Sequence, residues 1–331
     1  MLSQPLVSVI IPCRNEKNFI DKCLDSVLEN DYPKDKMEIF VVDGMSSDGT
    51  REIVEDYIQK YHFIKLIDNH KYIASSALNM GIKESRGDII MRMDAHAIYD
   101  KSYISKCVNY LEEYGADNVG GIISITPREN NLMGRGIVKA MSSFLGTGGA
   151  KYKTSPAKFE EVDTVPFGCF RRDVFDRAGY FNENLKRSQD IEFNLRLKRA
   201  GGKIYLFPDI TSQYFVRSDL KEFFIHNFRD GVWAVYPFKF TKTFFKLRHY
   251  LPLMFVSGLI GTLLLGIFFK PFYYLFLAEI FVYILVIFYA TIKVSLNEKD
   301  ARYLFSLPVA LAVRHFIYGF GSIFGIIKLL K

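Results

Sequence analysis

The sequence predicts an α/β domain on a Rossmann-like, mostly parallel sheet with helices on both faces, followed by C-terminal interfacial and transmembrane helices. Three observations carry this. Up to about residue 240, short β-branched runs alternate with amphipathic segments, the order that builds parallel sheets. From residue 251 on, the chain is nearly all apolar, in runs long enough to span a bilayer. Carboxylates and other polar residues follow the apolar runs, and ligands of such sheets sit beyond the carboxyl ends of the strands.

In order, residues 7–11 form a first strand and 18–29 a helix with Ile20, Leu24, Val27 and Leu28 on one stripe. Residues 38–42 form a second strand, and 50–61 a helix that turns Ile53, Val54, Tyr57 and Ile58 inward. Strand 64–67, helix 75–84, strand 88–93 and helix 102–114 continue the alternation. Residues 126–162, rich in Gly, Met, Ser and Lys, read as a loop-and-helix excursion able to move. Strand 165–170, helix 189–200, closed by Gly201-Gly202, and strand 203–207 complete the first domain, which we bound at 1–218. The first residues, MLSQPLVSVIIP, read as strand rather than signal peptide, having no basic n-region.

Residues 219–250 mix Phe, Trp and Tyr with Lys, Arg and His, as amphipathic interfacial helices at 219–235 and 238–250 would. Residues 251–331 form the membrane region. The run 251–269 carries no charge, 271–292 only Glu279, and the tight Lys270-Pro271 link makes them a hairpin. A third run, 304–327, holds Arg314 and His315 at its centre. It spans, with those charges facing Glu279 or a lipid headgroup, or it is re-entrant. The formal net charge is +7, with Lys239, Lys242, Lys246 and Arg248 just ahead of the apolar tail and Lys293, Lys299 and Arg302 in the later loop. Basic flanks of membrane segments mark the cytoplasmic side and anionic lipid. We therefore expect a multi-pass protein of the cytoplasmic (inner) membrane, its soluble domain in the cytosol, and no nucleic-acid partner. Cys13, Cys23, Cys107 and Cys169 have no metal-ligand spacing and read as packed, reduced thiols.

Three stretches carry chemistry. Ile11-Pro12-Cys13-Arg14-Asn15-Glu16 follows the first strand and lacks the GxGxxG of a dinucleotide site. In Asp43-Gly44-Met45-Ser46-Ser47-Asp48-Gly49-Thr50, Asp43 ends a buried strand and can accept a hydrogen bond from a base N–H. Gly44 would let a ligand approach the backbone, and Asp48 or Thr50 caps the next helix. In Arg92-Met93-Asp94-Ala95-His96, strand alternation would put Asp94 and His96 on one side, where a carboxylate and an imidazole can hold a divalent ion.

The ordered set VSVIIPCRNE, VVDGMSSDGT, ALNMGI and GDIIMRMDAH resembles the GT-A glycosyltransferases of family 2, over residues 6–232. The DAH variant with a membrane tail is most similar to the succinoglycan-type exopolysaccharide transferases, which extend lipid-linked sugars. The chain departs from the family pattern at Gly44, where many members have a second Asp, and at His96, where the last Asp of DxD stands. The resemblance implies a GT-A fold and an inverting hexosyl transfer from a nucleotide-diphospho-sugar, UDP by preference, to a polyprenyl-diphosphate-linked glycan. It implies Pro12, Arg14, Asn15, Glu16, Asp43, Gly44, Ser46, Asn79, Arg92 and Asp94 around the donor, and Mg²⁺ or Mn²⁺ on Asp94 with His96. It also places a catalytic base at Asp190 of Gln189-Asp190-Ile191-Glu192, Gln189 replacing the usual acid. Independently, a carboxylate in a first helical turn is favoured in its ionised form and can take a hydroxyl proton; Glu192 reads as a helix-surface residue or as a support behind the site. His226 and Arg229 fall where processive synthases have QxxRW; at i and i+3 they share a helix face, and Arg suits a diphosphate. A polyprenyl-phosphate sugar synthase, a processive synthase and a non-catalytic nucleotide-sugar-binding scaffold stay open as alternatives, as does a homo-oligomer.

Overall fold

The computed structural model describes residues 4–154, 157–241 and 245–330; Lys242 of the basic cluster lies outside them. The chain divides into two compact units. One is Met1–Ser124 with Ser155–Tyr214, the other Ile125–Thr154 with Phe215–Lys331. The excursion is therefore divided, its part up to Thr154 falling in the second unit and the rest in the first, and the boundary between the units is not a single cut near 218.

The first unit holds strands β1 (Val7–Cys13), β2 (Met37–Asp43), β3 (Ile64–Asp68), β4 (Ile89–Arg92), β5 (Ala97–Tyr99), most of β6 (Asn118–Pro127), β7 (Glu160–Glu161), β8 (Cys169–Arg171) and most of β9 (Ile204–Val216). Their order is β3-β2-β1-β4-β8-β6-β9-β5, with β7 on β9. The expected alternation holds from β1 to β4: β2 and β4 flank β1, β3 flanks β2, and all three pairings are parallel. Beyond β4 the sheet turns antiparallel, at β4–β8, β6–β8, β5–β9 and β7–β9. It is mixed rather than mostly parallel.

β1 is central because it is apolar along its length: Val7, Val9, Ile10 and Ile11 are fully buried. Two-faced burial is what a middle parallel strand requires. Helix Ala74–Glu84 packs on it through Gly81, where an added Cβ would stand 2.5 Å from Ile10 Cγ2. Strand 165–170 shortens to β8 because Phe167 (φ 62°) and Gly168 (φ 83°) take left-handed backbone, which no strand contains.

Among its described residues the second unit carries three helices long and apolar enough to cross a membrane, Leu251–Phe268, Lys270–Glu298 and Tyr303–Leu329. The first two form the expected hairpin. The Gly266 Cα faces Tyr273, Thr262 Oγ1 donates to Glu279 Oε2 at 2.9 Å, and the Phe255 and Tyr283 rings stack at 4.9 Å. Glu279 is thus satisfied inside the hairpin, and Arg314 does not pair with it. Arg314 instead donates to the Gly146 carbonyl (2.7 Å) and Asn227 Oδ1 (2.8 Å). It does so from a π-turn, Val313–Ile317, the irregularity often found where a helix does something besides pack. Helix Leu220–Val235 forms as expected. The described parts of 238–250 are only one helical turn at Phe238–Thr241 and a 3₁₀ turn at Leu247–His249. There the Tyr250 hydroxyl accepts from the Phe245 N–H at 3.0 Å and closes the chain on itself.

Gly81→Val should lower stability by about 1–3 kcal/mol, seen as an earlier thermal unfolding midpoint in detergent, because its branched side chain would overlap Ile10.

Candidate active site

The loops after β1 and β2 are stitched together. Asn15, in left-handed backbone (φ 55°), donates its N–H to Ser46 Oγ (2.8 Å) and accepts from the Ser47 N–H at Oδ1 (3.0 Å). The Glu16 N–H donates to Thr50 Oγ1 (2.9 Å) and the Gly44 N–H to the Cys13 carbonyl (2.7 Å). Pro12 lies at the end of β1, half-buried. Asp43 is buried at the end of β2. Its Oδ1 accepts from Ser46 Oγ (2.5 Å), and its Oδ2 from the Ser46 N–H (2.9 Å) and Arg51 (2.9 Å), which also pairs with Asp68. A carboxylate has about four acceptor positions, and three of them are taken here. Gly44 does not present open backbone: the Arg14 side chain lies across it, 3.2 Å from an added Cβ, with its guanidinium over the Tyr72 ring.

Beyond β4, one cation organises two carboxylates. Arg92 reaches Asp94 Oδ1 through Nε (3.3 Å) and Nη2 (3.0 Å), and Asp190 Oδ2 through Nη1 (3.6 Å). Its side chain is only 13% exposed. Burial alone would lower the Arg92 pKa; Asp94 and Asp190 outweigh it, and the net shift is upward. The strained Phe167-Gly168 turn fixes the base of this arm, because the Gly168 carbonyl accepts the Arg92 N–H (3.0 Å). Asp190 stands in the first turn of helix Gln189–Arg199, 37% exposed at its side chain. Ser188 ahead of it is left-handed, φ 59°.

Asp94 and His96 lie in the turn between β4 and β5, not in a strand, so the alternation that was to align them does not apply. His96 faces Glu16 Oε1 through Nδ1 (3.0 Å) and Tyr214 Oη through Nε2 (2.9 Å). Nε2 is hydrogen-bonded to Tyr214, whereas the buried Nδ1 lies near Glu16 without making a hydrogen bond. Among the described residues no three His, Cys, Asp or Glu side chains form a metal cluster. Asp94 Oδ2 makes no bond to Arg92. One carboxylate oxygen fits the habit of Mg²⁺, which takes one or two carboxylates and completes its shell from phosphates and water.

Asn79 is buried, and its amide joins the Phe181 backbone and Glu183 Oε1 (2.9 Å). It positions residues 181–183 rather than lining a pocket. Of the two places open to Glu192, the helix surface is not the one it takes: it is buried and bidentate with Arg196. His226 and Arg229 belong to the second unit. There His226 contacts Arg217 (3.0 Å) and Asp230 (3.2 Å), and Arg229 is exposed. Sequence reasoning missed Arg51 and Tyr214. Arg51 had a signal, its place in the first turn of the helix that follows Asp43; Tyr214, more than a hundred residues from His96, had none.

With this geometry in place, comparison with known proteins is decisive at residues 8–179, which match the glycosyl transferase family 2 model. The chain belongs to that family. Relatives include the dolichyl N-acetyl-α-D-glucosaminyl phosphate 3-β-D-2,3-diacetamido-2,3-dideoxy-β-D-glucuronosyltransferase of Methanococcus voltae, 29% identical over 330 residues and covering 97% of each chain. The succinoglycan biosynthesis protein ExoA of Rhizobium meliloti is 28% identical over 77% of each. Among solved structures, the mannosyltransferase PcManGT of Pyrobaculum calidifontis, in complex with GDP-Man and Mn²⁺, has a TM-score of 0.60 at 18% identity, over 95% of this chain and 86% of that one. GalNAc-T7 with UDP, GalNAc and Mn²⁺ has a TM-score of 0.53 at 14% identity, over 66% of this chain and 45% of that one. These likenesses show the GT-A fold, and the family makes the chain a glycosyltransferase.

All four cysteines are buried. Burial, and next the Asp43 carboxylate, push the Cys13 thiol well up; burial does the same at Cys23 and Cys169. N-ethylmaleimide at pH 7 should modify none of them in the folded protein and all four after denaturation, read by intact mass.

Proposed function

We propose that this enzyme is an inverting hexosyltransferase that moves a sugar from a nucleotide-diphospho-sugar, UDP by preference, to a polyprenyl-diphosphate-linked glycan at the cytoplasmic membrane face. The observation that carries the reading is the Arg92 bridge. It ties a carboxylate suited to the donor side, Asp94, to one suited to deprotonation, Asp190. Three membrane-length helices support an acceptor held in a lipid layer. So does the full-length relative whose name gives a dolichyl-linked sugar phosphate as acceptor.

Asp43 would accept one base N–H at its remaining position, within the frame of Pro12, Arg14, Asn15, Glu16 and Ser46. Asp94 Oδ2 would hold Mg²⁺ or Mn²⁺, and such an ion, when bound, offsets charge on a leaving diphosphate. Asp190 stands in the first turn of its helix, beside the Arg92 cation. It takes the proton of the acceptor hydroxyl, whose oxygen forms the new bond to the anomeric carbon as the bond to the diphosphate breaks on the opposite face. The α-linked donor becomes a β-linked product. Arg229 is our assignment for a further diphosphate contact.

A nucleotide-release assay on detergent-purified protein, with a panel of UDP- and GDP-sugars and polyprenyl-linked glycan extract, tests this. Release should need the extract and a divalent ion, and EDTA should abolish it. Asp190→Asn should lower kcat about 10²–10⁴-fold with little change in donor KM, whereas Arg229→Ala should mainly raise donor KM. Release with bare polyprenyl phosphate that survives Asp190→Asn would contradict the reading, since an ionised phosphate acceptor needs no base.

A further inference from the structure

The third apolar helix is long enough to span, yet its contacts place it elsewhere. We propose that Tyr303–Leu329 does not cross the membrane but lies in the leaflet that the hairpin enters, with Phe305, Val309, Phe320 and Phe324 turned to lipid. The proposal rests on reading the hairpin as membrane-spanning.

Helix Leu251–Phe268 has 18 residues, about 27 Å at 1.5 Å per residue. It barely covers a hydrocarbon core of about 30 Å, so its two ends must sit at the two interfaces. Gly319 of the third helix lies against the entering end: an added Cβ would stand 2.5 Å from the Pro252 carbonyl and 2.5 Å from Val256 Cγ2. Just before it, Phe316 packs on Phe255 and Tyr283. From Gly319 on, the helix runs along Leu220–Val235 rather than along the hairpin, with Phe324 on Phe228 and Lys328 over the Tyr236 ring. The second hairpin helix has 29 residues, 11 more than the 18 of the first. Since Phe255 stacks on Tyr283, the excess projects beyond the entering end, by about 16 Å. The third helix starts from the tip of that projection.

Its neighbours agree. The first half packs Ser306 on Gly136 of helix Leu132–Ser142, whose Arg135 and Lys139 pair with Asp300 (3.5 Å) and Glu298 (2.6 Å). The second half packs Gly321 and Gly325 on Phe228 and Val232 of helix Leu220–Val235, which exposes Lys221, Glu222 and Arg229. Charged side chains are costly in hydrocarbon, so both neighbours need an aqueous or headgroup setting. The outward face of the third helix is apolar, with Phe305 73% and Phe324 43% exposed, as an interfacial helix requires.

The test uses three single variants, Lys270→Cys, Asn297→Cys and Leu330→Cys, at positions that are all exposed, over the four buried native thiols. A membrane-impermeant maleimide is added to sealed native-membrane vesicles of known orientation. The Leu330→Cys variant should label from the same side as Asn297→Cys and from the side opposite to Lys270→Cys. Labelling of Leu330→Cys from the same side as Lys270→Cys would overturn the proposal while leaving the hairpin intact. If Lys270→Cys and Asn297→Cys label from one side, the hairpin is overturned, and the proposal with it.

Discussion

The first unit depends on a buried cation with two carboxylate partners. Arg92 is at the end of β4, a strand wedged between the parallel and antiparallel parts of the sheet. A guanidinium so little exposed survives only if its charge is compensated, and removing one partner of such a group typically costs about 3–5 kcal/mol. Asp94 and Asp190 supply the compensation from segments about a hundred residues apart. The same arrangement that keeps Arg92 folded sets the spacing between the carboxylate proposed for the donor and that proposed for the acceptor. Stability and site geometry are here one constraint.

Around this centre, backbone strain and side-chain satisfaction work together. Asn15, Met45, Phe167 and Ser188 all have positive φ, and each sits beside a proposed site residue or its support. Such conformations cost of order 1–3 kcal/mol each and persist only where surroundings over-determine them. At Asn15 the surroundings are Ser46 and Ser47; at Phe167 they are the next residue's bond to Arg92 and close rings of Tyr99 and Tyr214. In the second unit small residues have the corresponding part. Gly136, Gly231, Gly319, Gly321 and Gly325 bring helix backbones within reach of each other, and Arg314 ties three segments through Gly146 and Asn227.

Much of this was legible in the sequence where local pattern and burial agree. The strands β1 to β4 and the helices between them declared themselves through β-branched runs and 3.6-residue stripes, and the hairpin through charge-free length. What escaped depends on distant partners. β6 carries Gly120-Gly121, poor strand residues accepted because β6 lies between β8 and β9 and an added Cβ at Gly121 would overlap the Ile210 carbonyl. The Asp94-Ala95-His96 turn continues the strand pattern in the sequence, and its bend is set by the Asp94 N–H bond to the Tyr99 hydroxyl (2.7 Å). The family pattern named Asp94 and Asp190 separately; no spacing could show that one arginine would join them. Nor could it show that Asn79, within a family motif, is occupied by residues 181–183.

The most direct test of the central claim is a double-mutant cycle on kcat/KM with Arg92→Lys and Asp190→Asn. If Arg92 and Asp190 act as one unit, the double variant should lose little more than Asp190→Asn alone, with a coupling energy of about 1–3 kcal/mol. Losses that simply add, within about 0.5 kcal/mol, would contradict the account.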